Sequence, residues 1–146
     1  AIAKDYIEGI DMLTNMRICS NVPAQSIVQT ALGGHQSVND YLVPGGRLYE
    51  QREYIYEALN AIDGISAVKP KAAFYIFPKI NTKKFNIHND EQFALDLLHD
   101  EKLLIVQGTG FNWKDPDHFR VVYLPRVEVL KGAVEKMTNF FSYYRQ

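Results

Sequence analysis

Cysteine is nearly absent from this chain: Cys19 stands alone, so no disulfide closes within it. A single thiol fits a reducing, cytoplasmic compartment. No apolar run approaches the roughly 20 residues that span a bilayer. The first residues lack a basic segment followed by an apolar stretch, so no signal peptide is expected. Neither sign of charge dominates. Sixteen Lys and Arg against seventeen Asp and Glu leave a formal charge of −1, without the basic excess of a nucleic-acid binder or a polybasic membrane patch. The four histidines, His35, His88, His99 and His118, lie far apart. None pairs with another His or Cys at metal-ligand spacing, and no metal site is expected. Gly108-Thr109-Gly110 lacks the third glycine of a dinucleotide fingerprint. Internal repeats and flexible linkers are missing too.

What is present is the composition of a soluble globular domain, with 47% hydrophobic and 23% charged residues over 146 positions. That length suits one domain. The chain opens at Ala1 without Met, inside a helical pattern, and is expected to be a piece of a longer polypeptide. Ile2, Tyr6, Ile10, Leu13 and Met16 recur at helical spacing. Asn21-Val22-Pro23-Ala24 starts a second helix running to Leu32, which Gly33-Gly34 stops. Pro44-Gly45-Gly46 opens a long helix striped with Leu48, Ile55, Leu59 and Ile62, and Asp63-Gly64 is its exit. Strands are expected over 65–69, 72–77, 103–107 and 119–124. Asn89 is the expected cap of another helix, with Gln92 at the capping-box position. The last helix carries Leu130, Ala133, Val134, Met137, Phe141 and Tyr144 on one face. The fold class is α/β (α+β), a small sheet covered by helices.

Arg120 carries the most chemical information. Strand alternation sets Phe119, Val121 and Tyr123 on one face, and Arg120, Val122 and Leu124 on the other. Both faces are largely apolar, and a guanidinium among such neighbours needs an anionic partner. That partner is either an internal Asp or Glu or a bound carboxylate, whose two oxygens match the planar fork; at a strand end the arginine instead reaches water. Ser66-Ala67-Val68-Lys69 has the Ser-x-x-Lys spacing of some nucleophiles, but Lys69 directly before Pro70 reads as a surface lysine. Cys19 reads as a small buried side chain. Phe111 and Trp113 either wall a pocket beside the Gly108–Gly110 turn or fill core. Tyr41, Tyr49, Tyr54 and Tyr56 decorate the middle helices, and an exposed tyrosine-rich face there suggests contact with another domain or subunit.

Several stretches in order resemble the C-terminal part of the pyridoxal-phosphate-dependent class I/II aminotransferases of fold type I, and most of all bacterial alanine aminotransferases. They are Met16-Arg17-Ile18-Cys19-Ser20-Asn21-Val22-Pro23-Ala24-Gln25, Gln29-Thr30-Ala31-Leu32-Gly33-Gly34 and Pro44-Gly45-Gly46-Arg47-Leu48-Tyr49-Glu50-Gln51-Arg52. Val68-Lys69-Pro70-Lys71, Phe74-Tyr75-Ile76-Phe77-Pro78-Lys79, Val106-Gln107-Gly108-Thr109 and Asp117-His118-Phe119-Arg120-Val121-Val122-Tyr123-Leu124-Pro125-Arg126 continue the series. The resemblance implies that residues 1–20 form an interdomain helix and 21–146 the small domain. It implies that Arg120 grips the α-carboxylate of an amino acid or 2-oxo acid substrate, and that the 108–111 turn approaches that substrate. It further implies pyridoxal 5'-phosphate as cofactor, held by a Schiff-base lysine of a large domain outside these residues, and a cytoplasmic homodimer transaminating alanine. The 146 residues alone are expected to be inactive. The family has glycine where this chain has Ala72, a methyl group expected to narrow the pocket or shift the backbone. A stand-alone, non-catalytic binding module of the same fold is the alternative.

Overall fold

A computed structural model describes residues 2–17, 19–34 and 37–146; His35 lies outside the described residues. The chain divides into two compact units, Ala1–Val38 and Asn39–Gln146.

The first unit holds helices α1 (Ile2–Met16) and α2 (Val22–Ala31). The Asn21 side chain caps α2, accepting the Ala24 N–H at 2.8 Å, with proline in the first turn as the sequence predicts. The apolar stripe of α1 forms but is not buried: Tyr6, Ile10, Leu13 and Met16 are all exposed, Met16 by 83%. Cys19 is exposed as well, not buried as its residue type suggested. The reason is local. Among the described residues, the two helices and the bend between them bury no side chain, so the thiol has no apolar interior to enter.

The second unit carries the expected sheet and its helical cover. Helix α3 (Arg47–Asn60) buries Gln51, Ile55 and Leu59. It ends two residues before Ile62, which is buried all the same. Gly64 turns the chain with φ +94°, a conformation that favours glycine. The strands are shorter than expected. β1 (Ile65–Ser66) pairs antiparallel with β3 (Lys79–Ile80), while β2 (Tyr75–Ile76) is all that remains of the run 72–77. Ala73 explains the loss: its φ of +58° is left-handed and interrupts an extended strand. The departure at Ala72 is therefore followed by an unusual backbone one residue later.

β3 and the short helix α4 (Thr82–Phe85) were not legible as elements, although Asn81 caps α4 by accepting the Lys84 N–H at 3.0 Å. Helix α5 (Asp90–Glu101) starts at Asn89, whose side chain accepts from the Glu91 and Gln92 N–H groups. Only half of the expected capping box exists. The Gln92 side chain donates to Asp96, and the Asn89 N–H donates to Gln146 Oε1 at 2.8 Å. β4 (Val106–Gln107) and β5 (Phe119–Val122) follow, and α6 (Val127–Tyr143) comes last.

β5 is the centre of an antiparallel sheet ordered β2-β5-β4. The register sets Tyr75 opposite Val122 and Val106 opposite Arg120. Phe119, Ile76 and Tyr123 face the core with almost no exposure. Phe93 of α5 is the hub of that core, with ring centroids of Phe119, Phe140, Phe141 and Tyr144 all within 6.0 Å. No helix among the described residues is long and apolar enough to cross a membrane.

Candidate functional site

Cross-strand partners point to the same side of a sheet, so Tyr75, Val106, Arg120 and Val122 share the face opposite the core. That face is not closed. Tyr75, Val122 and Leu124 each keep more than a third of their surface exposed, so the two apolar faces predicted for β5 differ: one is core and the other is open. A guanidinium at the middle of the open face is where a small anion can reach it.

The surroundings of Arg120 decide between the readings left by the sequence. Its Cζ lies 4.6 Å from the Tyr75 ring centroid and 4.5 Å from that of Phe111. Such contacts draw a cation to the faces of the two rings. Among the described residues, no carboxylate forms an ion pair with Arg120, and its Nε is buried without a hydrogen-bond partner. The internal ion pair is therefore not found. An unpaired buried N–H costs about 1–3 kcal/mol, so the fold itself leaves this guanidinium under-satisfied.

Phe111 reaches Arg120 because a 3-10 turn, Gly108–Phe111, follows β4 directly. Gly108 is required there. Its N–H donates to the His118 carbonyl at 2.9 Å, and a Cβ would stand 2.8 Å from that same oxygen. Trp113 goes elsewhere, into a cluster with Phe77 and His118.

The base of the loop is Asp117, a largely buried carboxylate. It accepts from Trp113 Nε1 at 2.9 Å and His118 Nδ1 at 2.6 Å, with Lys79 Nζ 3.2 Å away. Burial works to raise its pKa, but the bonds from His118, Trp113 and Lys79 together outweigh burial and hold it below the usual carboxylate range. A pKa lowered by folding adds stability that is present above the unfolded value, about 3.9, and is lost as pH falls through the folded one. Asp117→Asn is expected to cost about 1–3 kcal/mol in urea titrations at pH 7. The gap to wild type should narrow on acidification below pH ~4; a gap independent of pH would contradict this role for the charge.

The remaining candidates separate cleanly. Lys69 bonds Glu53 at the surface, as its position before Pro70 suggested. His88 and His99 are exposed, and His118 stacks on Phe77. Tyr41 is exposed, whereas Tyr54 and Tyr56 pack against the core. Ala72 lines a cleft with Tyr49, Arg52 and Tyr123. One neighbour of Arg120, Tyr75, was not read from the sequence as part of the site; it is found by extending the alternation of β2 across to β5.

No protein-family model matches the chain. The glutamate-pyruvate aminotransferase AlaA of Haemophilus influenzae is 58% identical over 144 residues, which are 99% of this chain and 36% of that protein. A crystal structure of an aminotransferase from Escherichia coli superposes with a TM-score of 0.79 at 56% identity, covering 99% of this chain and 36% of that one. The alanine aminotransferase of Pyrococcus furiosus gives a TM-score of 0.68 at 40% identity over 96% of this chain and 35% of its own. The chain thus spans about a third of the length of these relatives. Ordered motifs, an antiparallel small domain and this similarity agree: the chain belongs to the fold-type I aminotransferases, as a C-terminal small-domain segment of that family.

Proposed function

We propose that this chain is the substrate-gripping part of an aminotransferase that exchanges an amino group between alanine and a 2-oxo acid, with Arg120 binding the substrate α-carboxylate. One observation carries the reading: a guanidinium set against the rings of Tyr75 and Phe111, with no carboxylate paired to it among the described residues, on the open face of the sheet. The planar fork of the guanidinium presents parallel N–H donors that match the two oxygens of a carboxylate. The orientation is thereby set before the substrate arrives, and little is lost in ordering the side chain on binding.

The donor set at the site is a single guanidinium packed against two rings. It fits a carboxylate, not a phosphorylated pyridine ring tethered to a lysine. The family resemblance puts the cofactor's lysine and phosphate-binding groups in the large domain, so no step through the cofactor is assigned to these residues. Pyridoxal phosphate, where bound in the complete enzyme, supplies the electron sink for amino transfer. The residues of this chain bind, orient and exclude water. Residues 1–20 are proposed as the interdomain helix and 21–146 as the small domain that closes over the substrate. The working assembly is proposed to be a cytoplasmic homodimer.

The test is an assay of two preparations with alanine and 2-oxoglutarate. The full-length polypeptide is expected to form pyruvate and glutamate, and the 146-residue chain to form neither. Sustained turnover by the 146 residues alone would overturn the proposal.

A further inference from the structure

Asp90 is 2% exposed, one of two buried polar side chains among the described residues. Burying a carboxylate is costly unless it is well bonded. Both of its oxygens are spent on one residue: Oδ2 accepts the Thr109 N–H and Oδ1 accepts the Thr109 hydroxyl, each at 2.8 Å. Its place in the first turn of α5 adds the favourable field of a helix N-terminus.

Thr109 lies two residues before Phe111 in the 3-10 turn, and the Phe111 ring centroid stands 4.5 Å from Arg120 Cζ. The turn itself has little to hold it. Thr109, Gly110, Phe111 and Asn112 are exposed. Gly108 fixes the start through the His118 carbonyl, and the Asn112 N–H closes back on the Thr109 carbonyl at 3.0 Å. Phe111 also meets the edge of the Phe77 ring at 6.3 Å, and among the described residues the hydrogen bonds from the turn to helix α5 are the two that Asp90 accepts.

We propose that Asp90 is a positioning residue for substrate binding: by clamping Thr109 it holds Phe111 over Arg120 and so fixes the direction of the guanidinium. The inference rests on the assignment of Arg120 as the carboxylate ligand. Its logic is that charge-assisted bonds from a buried acid define a position more tightly than the exposed turn does alone. A small displacement of a binding group is enough to cost affinity.

The experiment uses the full-length holoenzyme, with steady-state kinetics for alanine and pyruvate beside thermal melting. Thr109→Val removes the hydroxyl bond at an exposed position and keeps the side-chain shape. Asp90→Asn replaces one acceptor by a donor, and Thr109→Ser restores the hydroxyl. Thr109→Val and Asp90→Asn are expected to raise KM for both substrates about tenfold or more, with kcat changed by less than about threefold. Thr109→Ser is expected to return KM to near the wild-type value. A lowered melting temperature with unchanged KM in both Thr109→Val and Asp90→Asn would show a purely structural clamp and overturn the proposal. Arg120→Ala, run in parallel, separates the two readings. If it raises KM while the clamp variants do not, the positioning role alone fails. If it too leaves KM unchanged, the assignment of Arg120 fails and the clamp proposal with it.

Discussion

Replacing Arg120 by alanine in the full-length polypeptide is expected to raise KM for alanine and for its 2-oxo acid partner by roughly a hundredfold or more. Truncating one member of a buried, doubly hydrogen-bonded charge pair costs about 2–5 kcal/mol, and each 1.4 kcal/mol is tenfold. The loss has two parts. The substrate carboxylate gives up two parallel bonds, and it is left without a counter-charge on a partly apolar face lined by Tyr75 and Phe111. Arg120→Lys is expected to recover only part of the loss, because an ammonium is a point donor and cannot present the planar fork. It also packs less well against the Tyr75 and Phe111 rings than guanidinium does. Melting temperature should move little, since Arg120 holds no internal ion pair among the described residues. Unchanged KM and turnover in Arg120→Ala would sink the assignment.

The largest effect on stability is expected from Phe93→Ala, at about 3–5 kcal/mol. Phe93 is fully buried and meets four other rings, two from the last turns of α6, one from its C-cap and one from β5. Removing it opens a cavity where α5, α6 and the sheet converge. The neighbours are large aromatics that collapse poorly into a gap. Of a domain's typical 5–15 kcal/mol, this is a large share. Denaturant titration checks it: the midpoint should fall sharply with little change in slope. A shift of under about 1 kcal/mol would mean that the core is organised around other residues.

These two residues also mark what the sequence made legible. Helices read well because their signals are local: Asn89 caps where expected, Pro23 falls in the first turn of α2, and Ile55 and Leu59 bury on the predicted stripe. Strand lengths read poorly. The apolar run at 72–77 looked continuous, yet a left-handed residue, Ala73, interrupts its first half and the strand spans Tyr75–Ile76. Backbone conformation at an alanine carries no mark in composition or spacing. Helix α4 was missed because four residues are too few for a period. The reciprocal bond of the capping box was misassigned because its partner, Gln146, is remote in sequence.

Arg120 stood out because a charge in an apolar strand is unusual at any range. The sequence alone did not choose between an ion pair and a ligand, since that choice depends on which acids come near in three dimensions. Structure removed the ion pair from the described residues and supplied the two rings. The Asp90–Thr109 clamp was invisible for the same reason: 19 positions separate its ends, and neither residue is unusual where it stands. Cys19 is the converse. Residue type suggested burial, but burial depends on the core around it, and the first unit provides none.

The most direct test of the central claim pairs the arginine with the group it is said to grip. In the full-length holoenzyme, kcat/KM would be measured for alanine and for alaninamide, with Arg120 and with Arg120→Ala. Because the amide lacks the carboxylate charge, the substitution is expected to lower kcat/KM for alanine by about a hundredfold or more, and for alaninamide by less than about threefold. Equal losses with both substrates would show that Arg120 acts on something other than the carboxylate, and would contradict the account.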